Sequence, residues 1–134
     1  MPGDTNGKQD VFVRDRVTGA TTLISVATGG THANGHSSYR MTISANGRYV
    51  AFSSDATNLV SADTNGATDV FVRDRVTGAT TRVNVASSGT QSNGYFSSEA
   101  AISADARSAP CSSDATRPPP PAPTPAGHAC LHAP

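Results

Sequence analysis

The sequence predicts an all-β fold built from a repeated four-stranded antiparallel unit, and three observations predict it. Residues 1 to about 107 are rich in Thr, Ser, Val, Gly and Asn, the chemistry of strands and turns rather than of helices. The same stretch repeats with a period of 59: DVFVRDRVTGATT at residues 10–22 returns at 69–81, and DTNG at 4–7 returns at 63–66. Set without a gap, residues 4–57 and 63–116 are identical at 33 of 54 positions. Finally, apolar residues fall in short runs closed by turn residues, not three and four apart as an amphipathic helix requires.

One period holds four expected strands. The first is centred on residues 41–45. Asn46-Gly47 follows, a strong hairpin signal because both residues tolerate positive φ. The second strand is YVAFS at 49–53. A polar loop with DTNG at 63–66 leads to the third, DVFVR at 69–73. Thr77-Gly78 makes the next turn, and TTRVNV at 80–85 is the fourth strand. Strands two and three are nearly continuous apolar runs, which suits burial on both faces. Strand four alternates Arg82 and Asn84 against Val83 and Val85, the pattern of a half-exposed outer strand. A period of 40–60 residues with several strands per unit signals a β-propeller or a related β array.

ISANGRYVAFSSDATNLV at 43–60, followed by DVFVRDRVTGATTRV at 69–83, resembles the WD-like propeller repeat of the TolB type. Asn46 stands where that pattern usually carries Asp, and Ala45 where it often carries Pro. The resemblance covers residues 4–107. It implies four-stranded antiparallel propeller blades: one complete blade at 41–86, flanked by the outer half of a preceding blade at 10–27 and the inner half of a following one from about 100. The expected division is a partial β-propeller at 1–107 and an irregular, disordered, Pro-rich tail at 108–134.

The family implied includes periplasmic protein-interaction propellers and propellers that cap peptidase domains. The expectation is therefore a non-catalytic scaffold or protein-interaction module, periplasmic or extracellular. The alternatives are an accessory propeller segment of a peptidase or hydrolase, and a truncated product without independent function. Propellers use about 4–8 blades, and each repeat needs neighbours to cover its faces. Two blade equivalents thus leave three outcomes open: a fragment of a longer propeller partnered by its remaining blades, self-association of copies, or poor folding.

The tail breaks the pattern. SAPC at 108–111 stands where the first copy has YVAF, and Pro110 removes a ladder donor. After SSDAT at 112–116 comes RPPPPAPTPAGHACLHAP, read either as an extended polyproline linker or as the product of a displaced reading frame.

Composition bounds the function. Lys+Arg and Asp+Glu balance at 10 each, and charged residues are 15% of 134. This gives no phosphate-neutralising field for a nucleic-acid partner. No apolar run reaches the roughly 20 residues of a membrane span, and the N-terminus has no signal-peptide pattern. There is no GxSxG, phosphate loop, HExxH or dinucleotide fingerprint, so no enzyme activity and no cofactor are expected.

Four features carry candidate chemistry. The loops DTNGKQD and DTNGATD set oxygen side chains at Asp4, Asn6 and Asp10 and at Asp63, Asn65 and Asp69. Calcium takes several oxygens from one flexible loop, although Lys8 and Ala67 replace a central acid, and a turn bonded to its own backbone is the competing reading. His32 and His36 have a helical zinc spacing, but Asn34-Gly35 between them favours a loop. His128, Cys130 and His132 are soft ligands in the tail, where Cys111 and Cys130 are also able to form a disulfide. Asp15 and Asp74, each between two arginines, are expected to be salt-bridged strand ends.

Overall fold

The computed structural model describes residues 4–64, 66–85, 102, 109–110 and 129–130. These form eight strands and no helix: β1 (Phe12–Arg14), β2 (Thr21–Leu23), β3 (Ser37–Ile43), β4 (Tyr49–Ser54), β5 (Asp69–Asp74), β6 (Thr80–Arg82), β7 (Ala109–Pro110) and β8 (Ala129–Cys130). All pairings are antiparallel. β1–β2 is a hairpin, β3–β4–β5–β6 is a four-stranded meander, and β7–β8 is a ladder two residues long. None of the sheets is closed on itself.

The register assigns the faces, because directly opposed residues in an antiparallel ladder point the same way. Ile43 opposes Val50, Met41 opposes Phe52, Phe52 opposes Phe71 and Phe71 opposes Arg82, so all lie on one face. Phe52 and Phe71 stack with ring centroids 5.8 Å apart. Val50, Phe52 and Phe71 join Val11 and Ile24 from the β1–β2 hairpin, with Ala33, Ala56 and Leu59 from the loops, in one buried cluster. The hairpin therefore packs on this face. Ala51 and Val70, pointing the other way, are fully buried as well. Burial on both faces is what the apolar runs of β4 and β5 require.

Hydrogen bonds fasten hairpin to meander at two places. Thr80 Oγ1 donates to Val26 O (2.6 Å), Thr80 N donates to Thr28 Oγ1 (3.0 Å), and Arg73 donates to Ala27 O (3.2 Å). At the far side, Ser37 N donates to Gln9 O (2.7 Å) and Gln9 N donates to His36 Nδ1 (3.1 Å).

The sequence period is matched by hydrogen bonds that recur at several equivalent positions. Asp15 Oδ1 accepts from the N–H groups of Val17 and Thr18, and Gly19 N donates to Asp15 O. Asp74, 59 residues on, does the same with Val76, Thr77 and Gly78. Gly19 and Gly78 both sit at positive φ (77° and 75°), the left-handed region that only glycine enters without strain. Arg14 reaches Thr21 Oγ1 at 3.0 Å, as Arg73 reaches Thr80 Oγ1. Ser25 bridges Asp10 and Val11 N, as Asn84 bridges Asp69 and Val70 N.

The strands differ from expectation at their ends. β3 starts at Ser37, because its hydroxyl lies 2.7 Å from that of Ser54 and extends the ladder past an irregularity between Ser37 and Met41. It stops at Ile43, because Ser44 begins the turn. There Gly47 N donates to Ser44 O, and Gly47 has positive φ (71°) while Asn46 does not. The Asn-Gly pair thus closes a longer, bulged loop instead of a two-residue turn. β6 ends at Arg82, since the Asn84 side chain takes over Val70 N–H. Nor are Arg82 and Asn84 turned to solvent, as alternation suggested: Asn84 is 3% exposed, and the Arg82 side chain 10%.

Candidate functional site

The two DTNG loops are wired differently around glycines of like conformation. Gly7 and Gly66 share a positive φ (65° and 63°). In the first loop Asp4 is exposed, while Asn6 and Asp10 are half-buried. Asn6 turns its amide toward Asp10, donating to Oδ2 at 3.0 Å and to Ala33 O at 3.1 Å. Its carbonyl accepts Lys8 N–H at 2.9 Å, and Ser25 donates to Asp10 Oδ1 at 2.6 Å. The structure thus brings Asn6 and Asp10 together through a donor. A cation in this loop needs Asn6 flipped to offer oxygen instead, which gives up those two donated bonds.

In the second loop Asp63 and Asp69 converge, and Asn65 lies outside the described residues. Arg82 Nη1 stands 3.4 Å from Asp63 Oδ1 and 3.4 Å from Asp69 Oδ2. The guanidinium thus holds the place between two carboxylates that a cation would take. Asp69 is fully buried and also accepts from Asn84 Nδ2 at 2.6 Å. Leu23 is the residue 59 before Arg82, so the first loop has no matching cation. Among the described residues no group of three or more His, Cys, Asp or Glu is placed to hold a metal.

The remaining candidates separate. His32 and His36 lie in the β2–β3 loop, where His36 Nδ1 accepts Gln9 N–H and His32 O accepts from Asn58. Neither imidazole meets a nucleophile or an acid in a bond the structure gives. Cys111, His128 and His132 lie outside the described residues, and Cys130 contributes backbone to β8. Asp74 pairs bidentately with Arg48 (3.0 and 2.7 Å), not with its sequence neighbours. That pairing, ahead of the N–H bonds from Val76 and Thr77, holds its carboxyl well below the ordinary value. Asp15 is lowered by the backbone bonds from Thr18 and Val17. The same Asp74 bond raises Arg48, and burial lowers Arg73.

A groove of about 640 Å³ lies where the β2–β3 loop, the β4–β5 loop and β6 meet. Thr28, Ser61 and Thr81 give it hydroxyls, Leu59 and Val60 give it apolar wall, and Arg82 lines one side. The lining mixes hydroxyl, aliphatic and guanidinium groups, and among the described residues it holds no nucleophile–base pair. Sequence reading missed the groove because its walls come from three separate stretches, 27–29, 58–61 and 80–85. It also missed the bridging role of Ser25 and Asn84. The available signal was two hydrogen-bonding residues at matched positions of otherwise apolar segments. No helix of the described residues is long and apolar enough to cross a membrane. No family model, curated protein or solved structure matches the chain.

Proposed function

We propose that the chain is a non-catalytic repeat scaffold of the β-propeller kind that offers a protein-interaction surface. The observation that carries this reading is the recurrence, at a spacing of 59, of one hydrogen-bond set in two stacked antiparallel units. Stacked repeats of this sort place their connecting loops along one rim, and propeller function resides in such loops. The polar groove beside β6 supports the same reading, since it joins loops of both units. The resemblance of residues 43–60 and 69–83 to the TolB-type repeat adds the blade architecture and a periplasmic or extracellular setting.

The test has two arms on the full chain. Chromogenic peptidase, esterase, phosphatase and glycosidase substrates give no turnover above buffer. A protein captured by the chain is released by Thr28→Trp or Ser61→Trp in the groove and retained by Val17→Ser on the exposed β1–β2 turn, with all three variants keeping the wild-type circular dichroism. Turnover lost on a single groove substitution overturns the reading, as does capture that ignores both groove variants.

A further inference from the structure

We propose that Asn46-Gly47, in the turn between β3 and β4, is a self-modification site. Asn46 loses its side-chain amide as ammonia, closes on Gly47 to a succinimide, and reopens as aspartate or isoaspartate. This stands apart from the scaffold reading.

Asparagine before glycine is open to this chemistry because no Cβ shields the following backbone nitrogen. The step balances with water alone. Hydroxide takes the Gly47 N–H proton, the nitrogen attacks Asn46 Cγ, and charge develops on Oδ1. The intermediate collapses by expelling Nδ2, which takes a proton from water and leaves as ammonia. Water then opens the ring at either carbonyl, and a carboxylate stands where a neutral amide stood. Nothing is oxidised or reduced.

Three arrangements at the turn favour this course. First, Oδ1 already accepts from two donors, Ser44 Oγ at 2.7 Å and Arg48 N at 3.1 Å. Donors fixed on the oxygen that becomes anionic stabilise the transition state. Second, the bond from Arg48 N closes a ring that contains both Cγ and the Gly47 nitrogen, so the exposed side chain is kept beside its own backbone. Third, Arg75 Nη1 donates to Gly47 O at 2.7 Å, and its charge favours the anion formed as Gly47 gives up its proton. Arg48, the other cation of the turn, is paired with Asp74. The cost is the bond from Gly47 N–H to Ser44 O (2.8 Å), which is lost with the proton.

Two other described Asn-Gly pairs are built against the same step. Asn6 Nδ2, the group that would leave, donates to Asp10 Oδ2 at 3.0 Å and to Ala33 O at 3.1 Å, so the anion would form beside a carboxylate. Asn34 is tied at both ends to Thr57: Oδ1 accepts Thr57 N–H at 2.8 Å, and Nδ2 donates to Thr57 Oγ1 at 2.9 Å. The Asp55 carboxylate packs against its glycine, Gly35. Asn65 and Asn93 lie outside the described residues.

The full chain is held at mildly alkaline pH, folded and in urea, and peptide mapping by mass spectrometry follows aspartate plus isoaspartate at Asn6, Asn34 and Asn46. In the folded chain Asn46 is expected to convert about tenfold faster than the other two. In urea the three are expected to converge, since glycine follows each. Ser44→Ala, which removes one donor to Oδ1, is expected to slow Asn46 severalfold, and Ser44→Thr, which keeps the hydroxyl, to restore the rate. Ser44 Oγ also accepts Tyr49 N–H, so Arg75→Gln at an exposed position tests the same site without touching that bond, and is expected to slow Asn46 as well. Asn6 or Asn34 converting as fast as Asn46 in the folded chain overturns the proposal, as does a preference for Asn46 that survives in urea. An Asn46 rate lowered by neither Ser44→Ala nor Arg75→Gln overturns it too.

Discussion

Asn84 is the position where the repeat is most open to quantitative test. Its side chain is buried, and it bridges two groups of β5: Nδ2 donates to Asp69 Oδ1 at 2.6 Å, and Oδ1 accepts Val70 N–H at 3.1 Å. Asn84→Ala leaves a buried carboxylate oxygen and a buried amide without these partners. Each bond lost by a buried group costs about 1–3 kcal/mol, with the charged one toward the upper end. Arg82 stays 3.4 Å from Asp69 and limits the loss. The expected destabilisation is about 3–5 kcal/mol, a large part of the roughly 5–15 kcal/mol typical of a domain. Asn84→Ser behaves differently, because Ser25 already performs this bridge in the first unit, to Asp10 at 2.6 Å and Val11 N at 3.2 Å. More than half of the loss should return. Urea unfolding followed by far-ultraviolet circular dichroism is the assay, since the chain has no Trp, and the m-value should not change. If Asn84→Ser is as damaging as Asn84→Ala, or if Asn84→Ala stays within about 0.5 kcal/mol of wild type, the equivalence of the two units is wrong.

Three further outcomes are expected. A Cβ on Gly35 would collide with Asp55 Oδ1 and come within 2.7 and 2.8 Å of Ala56 backbone N and Cα, so Gly35→Ala should cost about 1–3 kcal/mol; Gly29→Ala, with nothing within 4 Å, should be neutral or slightly stabilising in the same urea titration. The Asp74 carboxyl lies below its ordinary value of 3.8 when folded, so its stabilisation is complete above that pH and is lost as pH falls through the lower folded value. Asp74→Asn should therefore cost about 1–2 kcal/mol at pH 7, and the gap to wild type should narrow below about pH 4, as measured by unfolding at stepped pH. Calcium at about 100 times the Kd of a true site would add about 2.7 kcal/mol; thermal unfolding with and without calcium should show no such rise, because Arg82 faces Asp63 and Asp69 and the Asn6 amide faces Asp10.

The strands that bury most were legible in sequence, and those that depend on side-chain bonds were less so. YVAFS and DVFVR are unbroken apolar runs, and β4 and β5 lie where those runs do. The ends of β3 and β6 were set by Ser37 on Ser54 and by Asn84 on Val70. These are pairings of polar side chains, which hydropathy patterns do not register. The acidic loops were visible as oxygen-rich segments, but their chemistry depends on what reaches them from elsewhere. Arg82 comes to Asp63 from 19 residues away, and the same position in the first unit is Leu23, so the loop motif alone gave no sign of a built-in cation. The union of the units was least legible: Thr80 meets Val26 and Thr28 across more than 50 residues, through bonds that either threonine type would equally make with water.

The central claim is that the β1–β2 hairpin and the four-stranded meander are two units of one repeat, stacked through a shared core. Nuclear Overhauser contacts between the methyls of Val11 and Ile24 and the rings of Phe52 and Phe71 test it most directly, because those residues meet only if the units stack. The account predicts such contacts together with cross-strand contacts between Phe12 and Leu23 and between Phe52 and Phe71. Intact cross-strand contacts in both units with none between them would contradict it.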